Sequence, residues 1–207
     1  MERDLDYKVY GSGKDYAYVI GGDGKELSCL FPSLTVVEVI PASWEDNLSP
    51  WKSNNPFKNG KEFAGGGEAF LRSLESLVGR IEEREKKRRI VAGYSMGGLF
   101  SLYSATLSSL FPLVASVSGS LWFPYFPEYL SSSEFHCRKA YISLGNKEAK
   151  TKNPILSSVL EKTREVASIL EEKGTKVEFV MEDGGHFSNE SGRMERAIRS
   201  LLEGESD

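Results

Sequence analysis

The chain has 207 residues and a formal net charge of −4, with 40% hydrophobic and 27% charged residues. That length predicts one domain, 1–207, with room for a substantial core. The mild negative charge and the lack of a Lys/Arg-rich arm argue against a nucleic-acid partner, and the lack of a long apolar run argues against a membrane span.

Cys29 and Cys137 form no Cys-x-x-Cys pair and no disulfide framework. His136 and His186 lack companion ligands at metal spacing, so no metal and no cofactor are expected. The N-terminal Met-Glu-Arg-Asp-Leu-Asp has no apolar signal region, which makes the cytoplasm the expected location. Composition assigns no oligomeric state.

In chain order, Ala17-Tyr18-Val19-Ile20 reads as a strand ending at Gly21-Gly22, and residues 35–40 as a second strand stopped by Pro41. A long polar loop from Ser43 to about Lys61 follows, of a length often associated with function. Phe70, Leu74, Leu77, Val78 and Ile81 recur at helical spacing, and the mixed charge run from Glu82 to Arg89 reads as a solvated helix end. Residues 89–92 form a strand, and Leu99, Leu102, Tyr103 and Leu107 mark the next helix. Strands at 113–117 and 140–144 come next. One helix is predicted from an Asn153 cap and Pro154 through to Gly174. A last strand over 176–181 and a closing helix through Met194, Ala197, Ile198 and Leu201 complete the chain.

Strands alternating with helices predict a mostly parallel sheet with helices on both faces. In such sheets, sites form beyond the carboxyl ends of the strands, so the loops after Ile20, Ile40, Ala92, Val117, Leu144 and Met181 share one edge.

At that edge stands Gly93-Tyr94-Ser95-Met96-Gly97. A Gly-x-Ser-x-Gly pattern alone is weak evidence. Here a strand runs into it and a helix leaves it, which is the context of a nucleophile elbow: a tight turn that lifts the serine hydroxyl out of the sheet and aims the next N–H, that of Met96, at a developing oxyanion. A serine hydroxyl needs a base. His186 lies between the last strand and the last helix, where the Ser, acid, His order of such folds places it. His136 precedes a strand on the opposite edge and reads as an ordinary surface or capping residue. For the acid, Glu148 fits best. Asp183, or a Ser–His dyad oriented by a backbone carbonyl, are the alternatives. The backbone of Gly22 or Asp23, after the first strand, is the expected second oxyanion donor. Gly65-Gly66-Gly67 reads as a close-packed helix start. The connection from Val117 to Ala140 is too short for a large lid, so an open cleft is expected, lined by Trp44, Trp122 and Phe123, with Trp51 read as packing.

The chain resembles the putative-esterase family of α/β-hydrolases, the esterase D-like and enterochelin-esterase-like enzymes. The resemblance rests on Asn47-Leu48-Ser49-Pro50-Trp51, Phe63-Ala64-Gly65-Gly66-Gly67, the serine motif, Ser116-Val117-Ser118-Gly119-Ser120-Leu121-Trp122, Leu144-Gly145-Asn146-Lys147-Glu148 and Gly184-Gly185-His186. It implies an α/β-hydrolase fold with a shortened N-terminal part and a minimal lid. It also implies Ser95 as nucleophile, His186 as base, and cofactor-free hydrolysis of a small-molecule carboxylic ester or thioester. Two departures stand out. Gly21 occupies a position where the family often has His or Asp, and Ser43-Trp44-Glu45-Asp46 lacks an arginine common in relatives. A catalytically silent binding protein and a small-peptide or thioester hydrolase are the rival readings.

Overall fold

The computed structural model describes residues 5–82 and 88–203. In chain order the elements are β1 (Asp6–Tyr10), β2 (Asp15–Ile20), α1 (Gly24–Leu30), β3 (Leu34–Ile40), α2 (Trp44–Asn47), β4 (Lys52–Ser53), β5 (Phe63–Ala64), α3 (Gly67–Ile81), β6 (Arg89–Tyr94), α4 (Met96–Leu107), β7 (Leu113–Val117), α5 (Phe126–Ser132), β8 (Lys139–Gly145), α6 (Pro154–Ser157), α7 (Val159–Glu172), β9 (Lys176–Glu182) and α8 (Glu190–Leu202).

Seven strands form one sheet in the order β1-β3-β2-β6-β7-β8-β9. The six from β3 onward in that order run parallel, and β1 pairs antiparallel with β3 at the edge. The central strands are apolar almost throughout because helices cover both of their faces. Their side chains alternate between two cores. Tyr18, Ile20, Val91 and Val114 join Phe70, Leu74, Leu99 and Val166 on the α3–α4–α7 face. Ala17, Val19, Ile90, Ala92 and Ala115 join Leu27, Met194, Ala197 and Ile198 on the α1–α8 face.

After β2 the chain moves outward to β3, and after β6 it moves the other way to β7, so the strand order reverses between β2 and β6. A crevice opens at the carboxyl ends of strands where such a reversal occurs. The register pairs Ile20 with Gly93 and Tyr94 with Val117, which sets Gly21-Gly22, Ser95 and Ser118 side by side at that opening.

The structure adds elements the sequence reading did not name and corrects others. The N-terminal part supplies β1, a strand whose largely exposed Asp-Tyr-Lys-Val-Tyr segment carries little apolar pattern. The segment after β2 holds α1, capped by Asp23, whose side chain accepts from the Glu26 N–H. The loop from 43 to 61 contains α2 and one strand of the β4–β5 hairpin. The helix expected from Asn153 to Gly174 is two helices, interrupted at Ser158. The hydroxyls of Ser157 and Ser158 donate to the Pro154 and Ile155 carbonyls, local bonds that compete with continuous helix. In the run from Glu82 to Arg89, residues 83–87 lie outside the described residues, and its two ends are not simply solvated. Glu82, with a side chain only 3% exposed, pairs with Arg89 at 2.7 Å and accepts from the Tyr18 hydroxyl. Among the described residues, no helix is long and apolar enough to cross a membrane.

Candidate active site

Ser95 joins β6 to α4 with φ 55° and ψ −117°, a left-handed φ for a residue with a Cβ. Such strain persists only where the surroundings impose it. They do so here by crowding: a Cβ on Gly93 would lie 2.1 Å from the Gly97 carbonyl carbon, and one on Gly97 would lie 2.5 Å from the Ile20 carbonyl oxygen. The glycines flanking the serine therefore let β6, α4 and the end of β2 meet. The turn is pinned by Ser95 N–H donating to the Val117 carbonyl and by Ser120 N–H donating to the Ser95 carbonyl, each at 3.0 Å.

Ser95 Oγ lies 3.0 Å from His186 Nε2, and His186 Nδ1 lies 2.7 Å from Glu148 Oε2. The other Glu148 oxygen accepts from the Gly145 N–H at 2.7 Å and from Arg193 at 3.1 Å. Burial pushes the Glu148 carboxyl up, but the hydrogen bonds from His186 and the Gly145 N–H outweigh it and hold its pKa below the ordinary value. The carbonyl of His186 accepts from the Tyr94 hydroxyl, whose pKa burial raises. Asp183 does not reach the imidazole and instead accepts from the Asn146 side chain at 2.8 Å. His136 sits away from this group, with its N–H donating to the Ala105 carbonyl.

Met96 occupies the first helical position of α4, where a backbone N–H lacks an intrahelical acceptor. Gly22 and Asp23 line a cavity that also takes in Ser95 and His186. Gly21, at φ 73°, has no room for a side chain because the Trp44 ring lies 2.0 Å from where its Cβ would be. The cavity has a volume of about 710 Å³ and reaches from Leu27 and Met194 on one sheet face to Leu156 and Val159 on the other, with Ser95 between. Trp44 and Trp122 line it. Phe123 does not. It is 1% exposed and packs edge-on against Phe63 and Trp51, so the expectation that it faces the cleft is corrected: Trp122 turns toward the cavity and its neighbour turns into the core. Trp51 packs between Phe123 and Tyr129.

Sequence reasoning passed over Phe57, Phe187, Ser120 and Arg193. Phe57 and Phe187 stand exposed at the cavity rim, and the Ser120 hydroxyl lies 3.4 Å from Ser95 Oγ. Arg193 is fully buried on α8. A signal for it existed. It precedes Ala197 by four positions and so falls within the apolar stripe of that helix, where a charge needs partners.

A family model for esterases, described as putative esterase, matches residues 33–195. The chain belongs to this esterase family. The protein YbbA of Bacillus subtilis strain 168, described as uncharacterized, is 30% identical over 152 residues, 69% of this esterase-family chain and 61% of that relative. The match thus spans under two thirds of the relative's length. Among solved structures, the siderophore hydrolase EstA of Aspergillus nidulans superposes with a TM-score of 0.64 at 17% identity, covering 96% of this chain and 94% of that one. The BES protein of Bacillus cereus gives 0.66 at 16% identity, with 94% and 88% covered. These likenesses show the fold, which is the α/β-hydrolase fold.

Proposed function

We propose that this esterase-family chain hydrolyses a small-molecule carboxylic ester or thioester through an acyl-enzyme on Ser95. The observation that supports it is the hydrogen-bonded line from Ser95 Oγ through His186 to Glu148, standing at the strand-order reversal and open to a largely apolar cavity.

In this reading, His186 Nε2 takes the Ser95 proton as Oγ attacks the acyl carbon. Glu148 holds the imidazole in the tautomer protonated at Nδ1 and stabilises the imidazolium that forms. The negative charge gathered on the former carbonyl oxygen is met by the Met96 N–H and by a backbone N–H of Gly22 or Asp23. His186 then returns its proton to the leaving alcohol or thiol as the tetrahedral adduct collapses to the acyl-enzyme. Water, deprotonated by the same imidazole, attacks the acyl carbon, and the collapse of that adduct releases the acid and restores Ser95. Trp44, Trp122, Phe57 and Leu156 suit an apolar acyl or alcohol group.

The test is labelling with a fluorophosphonate probe, paired with turnover of p-nitrophenyl esters, acyl-CoA thioesters and peptide amides. Ser95 should be labelled, Ser95→Ala should abolish labelling, and esters or thioesters should turn over ahead of amides. A folded protein that neither labels nor turns over any of the panel would overturn the reading in favour of a silent binding protein.

A further inference from the structure

We propose that Arg193 is a positioning residue: its buried guanidinium clamps Glu148 and the loop carrying His186 into one arrangement and sets the pH range in which the pair can accept a proton. The inference rests on the reading of Ser95 and His186 given above.

Arg193 is 0% exposed. Its Nη1 donates to Glu148 Oε1 at 3.1 Å and to Ser118 Oγ at 2.7 Å. Its Nη2 donates to the carbonyls of Asp183 at 2.9 Å and Gly185 at 3.1 Å. One planar group therefore holds the acid, the residue after β7, and the backbone just before His186. These pieces come from three strand ends and α8, and chain connectivity alone does not fix their spacing. The rigid fork of a guanidinium suits this task, while a lysine ammonium is a single point of charge.

The guanidinium is also costly where it sits. Its Nε has no hydrogen-bond partner among the described residues. It occupies the buried stripe of α8 beside Met194 and Ala197, where an apolar side chain would incur no such desolvation. A residue serving only to fill that stripe would have no need of a charge. What the charge accomplishes lies at its other end, on the carboxylate that faces His186.

The sign of the pH effect follows from charge. The Glu148–His186 pair gains one positive charge when it binds a proton, whichever partner carries it, and a buried cation beside the pair opposes that gain. Among the described residues, titratable or charged groups near Arg193 and the pair include Tyr94 on β6, Lys147 directly before Glu148, Glu182 and Asp183 at the end of β9, and Glu190 and Arg196 on α8. Asp23 and Glu26 of α1 line the same cavity. Arg196 is engaged with Glu182. Losing the Arg193 charge therefore lets the pair protonate at higher pH.

The experiment compares wild type, Arg193→Met and Arg193→Lys, reading kcat, KM and the acid limb of kcat/KM with a p-nitrophenyl ester, alongside thermal unfolding. Arg193→Met should lower kcat on the order of 100-fold with KM little changed, and move the acid limb upward by about one pH unit. Arg193→Lys should leave the limb near its wild-type position while kcat still falls, because it retains charge without the fork. A lower melting temperature with kcat and the limb unchanged in both variants would make Arg193 a packing residue and overturn the proposal. Should Arg193→Met fail to fold, the lysine variant decides alone: undiminished kcat overturns the proposal, and reduced kcat at constant KM and limb supports it. Wild type that fails to label at Ser95 refutes the underlying reading instead, so the two failures are distinguishable.

Discussion

Glu148 carries more of the site's electrostatics than its place in an exposed-looking Asn-Lys-Glu segment implies. Its side chain is only 5% exposed, and all its partners hold the ionised form. Its pKa in the folded chain lies below the ordinary value of 4.5, so the stability it contributes is complete above about pH 4.5 and is lost as pH falls through the lower folded value. Urea unfolding of wild type against Glu148→Gln should accordingly show a wild-type advantage at neutral pH that shrinks under acid. Turnover by Glu148→Gln should fall by roughly 10³–10⁴-fold, because the amide can present the wrong hydrogen-bonding atom to Nδ1. Near-wild-type turnover would remove Glu148 from the mechanism. The serine motif and the position of His186 were readable in the sequence because glycines and strand–helix boundaries leave local marks. For the acid the sequence favoured Glu148 but left Asp183 and a dyad open, and the contact that distinguishes them was not readable. It depends on the register that pairs Gly145 with Glu182, which brings Asn146 to Asp183 and leaves Glu148 to fold back over the Gly145 N–H.

At the scale of elements, the close approach of α4 to the end of β2 makes the elbow possible. A Cβ at position 97 meets backbone, 2.5 Å from the Ile20 carbonyl oxygen, and cannot be relieved by a rotamer change. Gly97→Ala should destabilise the fold by roughly 1–3 kcal/mol, read from the urea midpoint, and should slow fluorophosphonate labelling by shifting Met96 relative to Gly22. Labelling and stability at wild-type level would show that α4 can retreat freely. The elements legible from periodicity were those with strong apolar stripes, α3, α4 and α8 among them. The break at Ser158 escaped because Leu156, Val159 and Leu160 keep helical spacing across it while the serine hydroxyls reorganise the backbone. The strand β1 escaped because it is an edge, and its partner in β3 lies about thirty residues away in sequence.

For the whole molecule, two helical layers seal the sheet and separate the two cysteines by environment. Cys29 is exposed, whereas Cys137 is buried with its thiol pushed up to about 12, chiefly by burial. Native protein treated with a thiol reagent near neutral pH should therefore modify Cys29 rapidly and Cys137 only on unfolding. Peptide mapping before and after denaturant checks this, and equal native reactivity would contradict the sealed core.

The sequence by itself determined the alternation of strands and helices, the elbow around Ser95, the placement of His186 after the last strand, and the crowded glycine start of α3. All of these are local consequences of side-chain periodicity and of where only glycine fits. The tertiary structure alone decided the strand order and its reversal between β2 and β6, the turning of Trp122 to the cavity and Phe123 to the core, and the meeting of Glu148 with His186 and Arg193. The contacts of Glu148 with His186 and Arg193 span 38 and 45 residues of chain, and such long-range features arise from strand register and from the demand that a buried charge find its partners.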